Sequence, residues 1–585
     1  MGPDDNDRIG AATPVAVPLE LHSRRWYGQG PFSFEHRGRT MQSGFSLADF
    51  DGKPVVGIVT TWSEANPCHA HLRDVADAVK RGVWSAGGFP LEIPVMSLGE
   101  TLMKPTTMLY RNLAAMETEE VLRSHPLDAA VLLGGCDKTT PALLMGAVSA
   151  DIPSIYVPAG FMMHGNWKGR RLGAAVTAWK YSEELVAGDI SMDDWYEIED
   201  GYACSPGTCN VMGTASTMTA IAEVLGMTMP GASSVPAGDA RQRRLAADAG
   251  RRSVSMAVDA LRPSDILSAA SFRNAVVAMM ALGGSTNATI HLPAIAGRAG
   301  IDVPLSLFDE IARDVPVLAD VEPSGHFLME DFFEAGGLRA LLQQLRPHLD
   351  TSCLTANGRS LGENIDGARV AKPEVIRRAD DPVQPLALAV LRGNLAPDGA
   401  VIKVSAASPE LCRHRGPAVV FTDRKDLDRR LNDPGLDVTA DSVLVLQNAG
   451  PRGGPGMPEW GMIPLPFKLI RSGVRDMVRI SDARMSGTSH GTTVLHIAPE
   501  SFVGGPLALV RDGDIIELDI PGRRLELMVG PDELAARRRA WTAPPLRFER
   551  GWGALYDQNI LQANEGCDFE VLRGRRGAPE PAIYY

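Results

Sequence analysis

No run in this 585-residue chain is apolar for long enough to cross a bilayer, and no block of lysine or arginine stands out. The first absence excludes a helical membrane protein. The second argues against general nucleic-acid binding, since 58 basic residues face 71 acidic ones for a formal charge of −13, and a phosphate-backbone binder carries a basic patch. Cysteine is scarce too. Cys68, Cys136, Cys204, Cys209, Cys353, Cys412 and Cys567 are too few and too scattered for a disulfide framework, which leaves metal ligation open. Met1-Gly2-Pro3-Asp4 starts no basic segment followed by an apolar core, so the protein is expected in the cytoplasm. What is present is a globular composition, 44% hydrophobic and 22% charged, in a chain long enough for two large domains.

The organisation follows from local pattern. Pro54 to Thr60, Ala129 to Leu133 and Ile152 to Val157 are short apolar runs that end in loops and read as buried strands. After the first, Leu72, Val75, Ala76, Val79 and Val83 recur at helical spacing until Gly87-Gly88 stops the pattern. Such strand-loop-helix units predict a doubly wound α/β domain. Further helices are expected through Leu245 to Ala260, Phe272 to Leu282 and Ala288 to Ala296. From about residue 385 short strands take over, among them Val401 to Val404, Ala418 to Phe421, Val443 to Gln447, Thr493 to His496 and Ile515 to Ile520, so the C-terminal part is expected to be β-rich and barrel- or sandwich-like. The expected partition is an arm over 1–35, an α/β domain over 36–380 and a β-rich domain over 381–585, with the boundary near Asp380-Asp381-Pro382.

Gly134-Gly135-Cys136-Asp137-Lys138-Thr139-Thr140-Pro141 places a thiol, a carboxylate and an amine on consecutive residues. The segment joins a strand to a helix that Thr140 is expected to cap, the place where ligands gather in open α/β sheets. A tight turn with a buried thiol and a surface Asp-Lys pair is the plain alternative. Cys68 and Cys209 share the context, and a helix start there is expected to lower their thiol pKa. The spacings fit no zinc-ribbon or ferredoxin pattern, but three thiolates would suit an iron–sulfur cluster with one iron left open. Inert buried thiols are the other reading. Asp137, joined by Glu100, brings hard oxygen donors that suggest a second metal such as Mg²⁺. Downstream, the loop Gly450 to Trp460 presents Glu459, and the loop Ser481 to Gly491 is dense in hydroxyls; ordinary turn chemistry would also account for both.

Taken together, the Pro67-Cys68 loop, Gly134-Gly135-Cys136-Asp137-Lys138, Thr208-Cys209-Asn210, Gly283-Gly284-Ser285-Thr286-Asn287, Gly456-Met457-Pro458-Glu459 and Met485-Ser486-Gly487 resemble the iron–sulfur dehydratases, a family that includes dihydroxy-acid, phosphogluconate and sugar-acid dehydratases. The resemblance runs from about Cys68 to Cys567. Met457 to Gly461, Asp482 to Ser489, Ala498-Pro499-Glu500 and Gly504 to Ala508 are most similar to L-arabinonate and related aldonate dehydratases. It implies that Cys68, Cys136 and Cys209 hold a 2Fe-2S cluster, with 4Fe-4S the lesser expectation. It also implies that Glu100, Asp137, Glu459 and a carbamylated Lys138 hold Mg²⁺, and that Ser486 is the base; Thr488 is expected to orient either the serine or the substrate. Cys204 falls outside the pattern, and His490 stands where relatives often carry an aromatic residue.

The chemistry joins these parts. Dehydrating a 2,3-dihydroxy acid such as L-arabinonate, D-fuconate, D-galactonate or D-xylonate takes a weakly acidic proton from the alpha carbon and expels hydroxide from the beta carbon, and the enol left behind becomes a 2-keto-3-deoxy acid. Metals at both ends of that bond would ease each step. A lysine carbamylates readily only when its pKa is depressed, which is therefore expected of Lys138. The rivals are a dihydroxy-acid dehydratase of branched-chain synthesis, an aconitase-like hydratase with a 4Fe-4S cluster, and an iron–sulfur sensor with no need of Ser486. The expected partners are a small sugar acid and further copies of the chain in a homodimer or homotetramer, with no nucleic acid and no membrane.

Overall fold

The computed structural model describes residues 21–574; the first twenty residues of the expected arm lie outside them. The rest of that arm is helical rather than aperiodic. Helices Arg24–Tyr27 and Phe34–Gln42 follow Ser23, whose N–H donates to Asp128 Oδ1 at 2.9 Å.

Four parallel strands, β1 (Val55–Thr60), β2 (Phe89–Pro94), β3 (Ala129–Gly134) and β4 (Ser154–Pro158), lie in the order β2-β1-β3-β4. β1, β3 and β4 are buried along their whole length, which is why each reads as an unbroken apolar run. Helices α1 (Leu72–Ser85), α2 (Met108–Ser124) and α3 (Thr139–Ala150) join them. A small hairpin of β5 (Gly165–Trp167) and β6 (Arg170–Leu172) leads to α4 (Ala174–Ala187), α5 (Thr214–Val224), α6 (Ala240–Asp259), α7 (Ala269–Ala281) and α8 (Ala288–Arg298). Gly82 of α1 lets α6 approach so closely that a Cβ there would lie 2.0 Å from the Ala247 carbonyl oxygen. The strand order is that of a doubly wound sheet, whose connections diverge between β1 and β3. The loops leaving these two strands therefore flank a ready-made crevice, and they carry Cys68 and Cys136.

The C-terminal strands close into a barrel. β7 (Ala389–Gly393), β8 (Ala396–Ile402), β9 (Arg413–Phe421), β10 (Val443–Leu446), β11 (Arg479–Ser481), β12 (Thr493–Ala498), β13 (Ile515–Asp519) and β14 (Arg524–Leu527) run round it as β10-β11-β12-β8-β7-β14-β13-β9. β11 escapes the sequence pattern because it is three residues long and begins with an arginine. Side chains alternate across the wall: Ile402 and Val494 fill the barrel, whereas Val401 and Leu495 pack into the core of the α/β part. That alternation seals the barrel against the sheet domain. Short helices α9 (Arg424–Arg430) and α10 (Phe467–Arg471) cover its outer face. The last helix, α11 (Gly551–Asn559), returns to the α/β part, where Tyr556 and Phe569 pack with Met108, Leu109 and Ile290 and Asp568 meets the buried Arg298 at 2.6 Å. No helix of the described residues is long and apolar enough to cross a membrane.

Candidate active site

The loop after β3 lifts Asp137 and Lys138 into the crevice. Lys138, not Thr140, stands at the cap position of α3; the Thr140 hydroxyl pairs instead with the Tyr156 hydroxyl at 2.8 Å. Lys138 is fully buried, and its Nζ lies among three carboxylates, 2.8 Å from Glu459 Oε1 and 3.2 Å from both Glu100 Oε2 and Asp137 Oδ2. Those three come from the barrel, from the segment after β2 and from the loop after β3. Sequence separation hides this convergence and the fold creates it.

Each carboxylate is itself held. Glu100 accepts from the Thr106 hydroxyl at 2.7 Å, from the Thr107 N–H at 3.2 Å and from the Thr107 hydroxyl. Burial opposes its ionisation, but the Lys138 and Arg484 charges and the two threonines hold it down at about 2. Glu459 accepts from Arg484 at 2.9 Å and from the Asn287 amide at 3.1 Å. Its loop bends at Met457, a buried residue at φ 53, a backbone region costly for a side chain like methionine and concentrated at functional sites. Asp137 is raised by burial, against the pull of Lys138 and with the push of Glu459 and Glu100.

Lys138 corrects the expectation of a depressed pKa. Burial and Arg484 pull it down, but the three carboxylates more than offset them and the ammonium is favoured. Among the described residues no three His, Cys, Asp or Glu side chains are close enough together to hold a metal ion as they stand. On the carboxylate side the ammonium explains it, since it spaces the oxygens at hydrogen-bond distance whereas Mg²⁺ takes them at about 2.1 Å. The donor chemistry nevertheless fits. Exchanging the ammonium for a carbamate together with a divalent cation leaves the net charge of the cluster unchanged.

The thiols lie beside this cluster. Cys68 and Cys136 are within hydrogen-bond reach of one another, and the charges of Cys136, Cys209 and Asp137 all bear on Cys68. Its thiol is raised well above the ordinary range by the hydrogen bond with Cys136, then by burial and by those charges. Burial also raises Cys209, as do Asp137, Cys136 and Glu459. The expected lowering by helix dipoles is overturned at these two sites. Cys68 sits in the 3-10 turn Pro67–His69 ahead of α1, and Cys209 five residues ahead of α5, beyond the first turn where the dipole acts. Three sulfurs close enough to bear on one another's ionisation suit a thiolate-bound metal group. Cys204 is exposed and stands apart, with its sulfur near the Met163 and His164 carbonyls.

Ser486 is carried by the loop between β11 and β12. Its Oγ lies 2.8 Å from the Thr488 hydroxyl and accepts the Thr488 N–H at 3.3 Å. The loop is pressed onto the start of α5: a Cβ on Gly487 would lie 2.5 Å from the Thr214 backbone nitrogen. An α-helix N-terminus stabilises negative charge placed against it. Asn287 fastens this junction by donating to Thr214 Oγ1 at 2.9 Å and to the Met485 carbonyl at 3.2 Å, besides Glu459.

The structure adds residues that sequence reasoning did not assign. Buried Arg484 links Glu459 to the Met457 carbonyl at 2.8 Å and to Thr106 Oγ1 at 3.2 Å. His69 Nε2 accepts the Cys136 N–H at 3.0 Å, so Nδ1 carries the proton and donates to the Thr61 carbonyl at 3.0 Å. Burial holds this imidazole neutral, at about 4. Its place next to Cys68 was the one signal available. Glu500, raised to about 7 by burial and Asp482, anchors the Glu459 loop through the Arg452 and Gly453 N–H groups.

Comparison with known proteins places the chain in a family. Residues 53–364 match the profile described as dihydroxy-acid/6-phosphogluconate dehydratase N-terminal, and residues 374–567 match its C-terminal counterpart. The chain is 54% identical over 570 residues to the 6-deoxy-6-sulfo-D-gluconate dehydratase of Pseudomonas putida, covering 97% of this chain and 98% of the relative. It is 50% identical over 580 residues to the L-arabonate dehydratase of Azospirillum brasilense, covering 97% and 99%. With the dihydroxy-acid dehydratase of Methanothermobacter thermautotrophicus the identity is 38% over 545 residues, covering 92% and 97%.

Proposed function

The chain belongs to the dihydroxy-acid/6-phosphogluconate dehydratase family and is a hydro-lyase, and from that premise we propose that it removes water from a sugar acid to give a 2-keto-3-deoxy acid. The observation that carries the reading is the meeting of the Lys138 carboxylate cluster with the Ser486 loop across the domain junction, through Glu459, Arg484 and Asn287. Relatives named for sugar acids stand at about half identity, against 38% for one named for dihydroxy acids, and that favours an aldonate such as L-arabinonate, D-fuconate, D-galactonate or D-xylonate. The sensor reading falls with membership of a dehydratase family.

On this reading Cys68, Cys136 and Cys209 hold a 2Fe-2S cluster, and Glu100, Asp137, Glu459 and carbamylated Lys138 hold Mg²⁺. When bound, these groups supply Lewis acidity at the two ends of the bond that breaks. The protein's own part is proton transfer. Ser486 Oγ, as an alkoxide, takes the proton from the alpha carbon; the Thr488 N–H and hydroxyl both reach that oxygen, and the α5 N-terminus beneath the loop favours its charge. A free serine hydroxyl is far too weak a base without such help. Arg484 and Asn287 fix the Glu459 carboxylate, and His69 fixes the Cys136 backbone. Anaerobic turnover of an aldonate panel, with 6-deoxy-6-sulfo-D-gluconate and 2,3-dihydroxyisovalerate beside it, tests the proposal. Keto-acid formation from sugar acids supports it, and reaction of dihydroxyisovalerate alone assigns the enzyme to branched acids.

A further inference from the structure

Two of the carboxylates around Lys138 are held by the starts of helices. Thr106 and Thr107, which hold Glu100, lead directly into α2, and Asn287, which holds Glu459, leads into α8. Residues 107 and 287 already have helical backbone angles, so the side chains four positions on, Arg111 and His291, lie on the same faces one turn deeper. These two meet. Arg111 Nη1 donates to His291 Nδ1 at 3.1 Å, and both residues are fully buried. Side chains of a helix lean towards its N-terminus, which brings the pair up beneath the cluster, near enough for the Lys138 and Arg484 charges to bear on the imidazole.

The contacts of the pair are those of a brace. A guanidinium can only donate, so His291 Nδ1 is the acceptor and Nε2 carries the hydrogen. Burial, then the Arg111, Lys138 and Arg484 charges, hold this imidazole well below its ordinary range, and the ring is neutral. Arg111 Nη2 donates onward to the Gly566 and Cys567 carbonyls at 2.9 and 2.6 Å, so one side chain ties α2 to α8 and to the returning C-terminal segment. The loop that presents Glu459 presses on the first turn of α2: a Cβ on Gly456 would lie 2.4 Å from the Leu109 backbone nitrogen. Packing alone does not call for an imidazole at 291, because its Nε2–H has no partner among the described residues and an apolar side chain would avoid that cost. We propose that Arg111 and His291 are a positioning pair for the divalent-cation site, fixing how far Glu100, on the α2 side, stands from Glu459, on the α8 side; the proposal rests on the Mg²⁺ reading above. Both act through Thr107 and Asn287 rather than as ligands. Mg²⁺ demands near-ideal octahedral geometry, so a small shift of either carboxylate weakens its binding.

The test is calorimetric titration of the anaerobically purified, iron-containing protein with Mg²⁺ in bicarbonate buffer. His291→Asn puts a carbonyl oxygen near the place of Nδ1, His291→Gln puts it near that of Nε2, and His291→Leu offers none. His291→Asn should bind Mg²⁺ nearly as tightly as the wild type. The Gln and Leu variants should bind it about tenfold or more weakly, as happens when a group that orients metal ligands is lost, with iron content and the melting temperature of the Mg²⁺-free protein alike in the Asn and Gln variants. Equal affinity in those two overturns the acceptor role of Nδ1, and wild-type affinity in His291→Leu overturns the brace. If His291→Leu does not fold, the comparison of Asn with Gln decides alone. A parallel loss of iron and of melting temperature in His291→Gln would mark a general structural role and overturn the proposal as well. A wild type that binds no Mg²⁺ would sink the metal reading itself and this inference with it, a result distinct from any difference among the variants.

Discussion

Lys138 Nζ and Glu459 Oε1 stand 2.8 Å apart although 321 residues separate them in the chain, and this buried pair is what joins the parallel-sheet domain to the barrel at the reaction centre. Glu459 also takes the Arg484 guanidinium at 2.9 Å. Glu459→Ala leaves two buried cations short of an anion, and breaking such a pair costs about 3–5 kcal/mol. Denaturant unfolding of the metal-free variant, in which Lys138 is an ammonium, should register that loss, and the metal-loaded variant should bind Mg²⁺ more weakly. Unchanged stability would show that the cluster does not hold the domains together.

Ser486→Ala should leave the fold and iron content intact and reduce kcat by about 10²–10⁴, the contribution typical of a positioned base. Thr488→Val keeps the backbone N–H but removes the hydroxyl that meets Ser486 Oγ at 2.8 Å, so it should cost about 10²-fold in kcat, as removal of one oxyanion donor does. Full activity in Ser486→Ala would rule serine out as the base.

His69→Ala removes the acceptor of the Cys136 N–H, and the expected result is iron content well below the wild type in protein purified anaerobically. His69→Gln, which offers a carbonyl oxygen in place of Nε2, should recover part of it. Equal iron in wild type and His69→Ala would show that the thiol loop needs no such support.

Much of this was legible before folding. Continuous apolar runs announced β1, β3 and β4 because those strands are buried on both faces, and the spacing of Leu72, Val75, Ala76, Val79 and Val83 gave α1 because all five face the core. Arg479 concealed β11, and the return of Asp568 to Arg298 has no local signal at all. At the site, motif residues marked the thiols, the carboxylates and the serine. Electrostatics were less legible, because the pKa of Lys138 depends on how many carboxylates the fold brings within about 3 Å of it, and spacing in sequence does not encode that number. His69 and Arg484 act through a backbone N–H and a carboxylate on distant loops, contacts that only tertiary structure defines.

Lys403 yields a pH effect on stability. It is 1% exposed, its Nζ has no hydrogen-bond partner, and burial alone draws it down to about 7. An unfolded lysine titrates near 10.4, so between about pH 7 and 10.4 the unfolded chain binds more protons and stability rises with pH. The penalty is fully present below the folded pKa and reaches at most about 4–5 kcal/mol. Lys403→Met should raise the melting temperature at pH 7 and flatten its rise towards pH 9. A wild type and variant with parallel pH profiles would mean that Lys403 stays charged in the folded protein.

The central claim is sugar-acid dehydration with Ser486 as the base, and the most direct test is anaerobic turnover of L-arabinonate, D-fuconate, D-galactonate and D-xylonate by the wild type and by Ser486→Ala, scored as 2-keto acid formed. The account predicts turnover of at least one of these acids by the wild type and its loss in the variant with both metals retained. Turnover of 2,3-dihydroxyisovalerate alone, or sugar-acid turnover undiminished in Ser486→Ala, would contradict it.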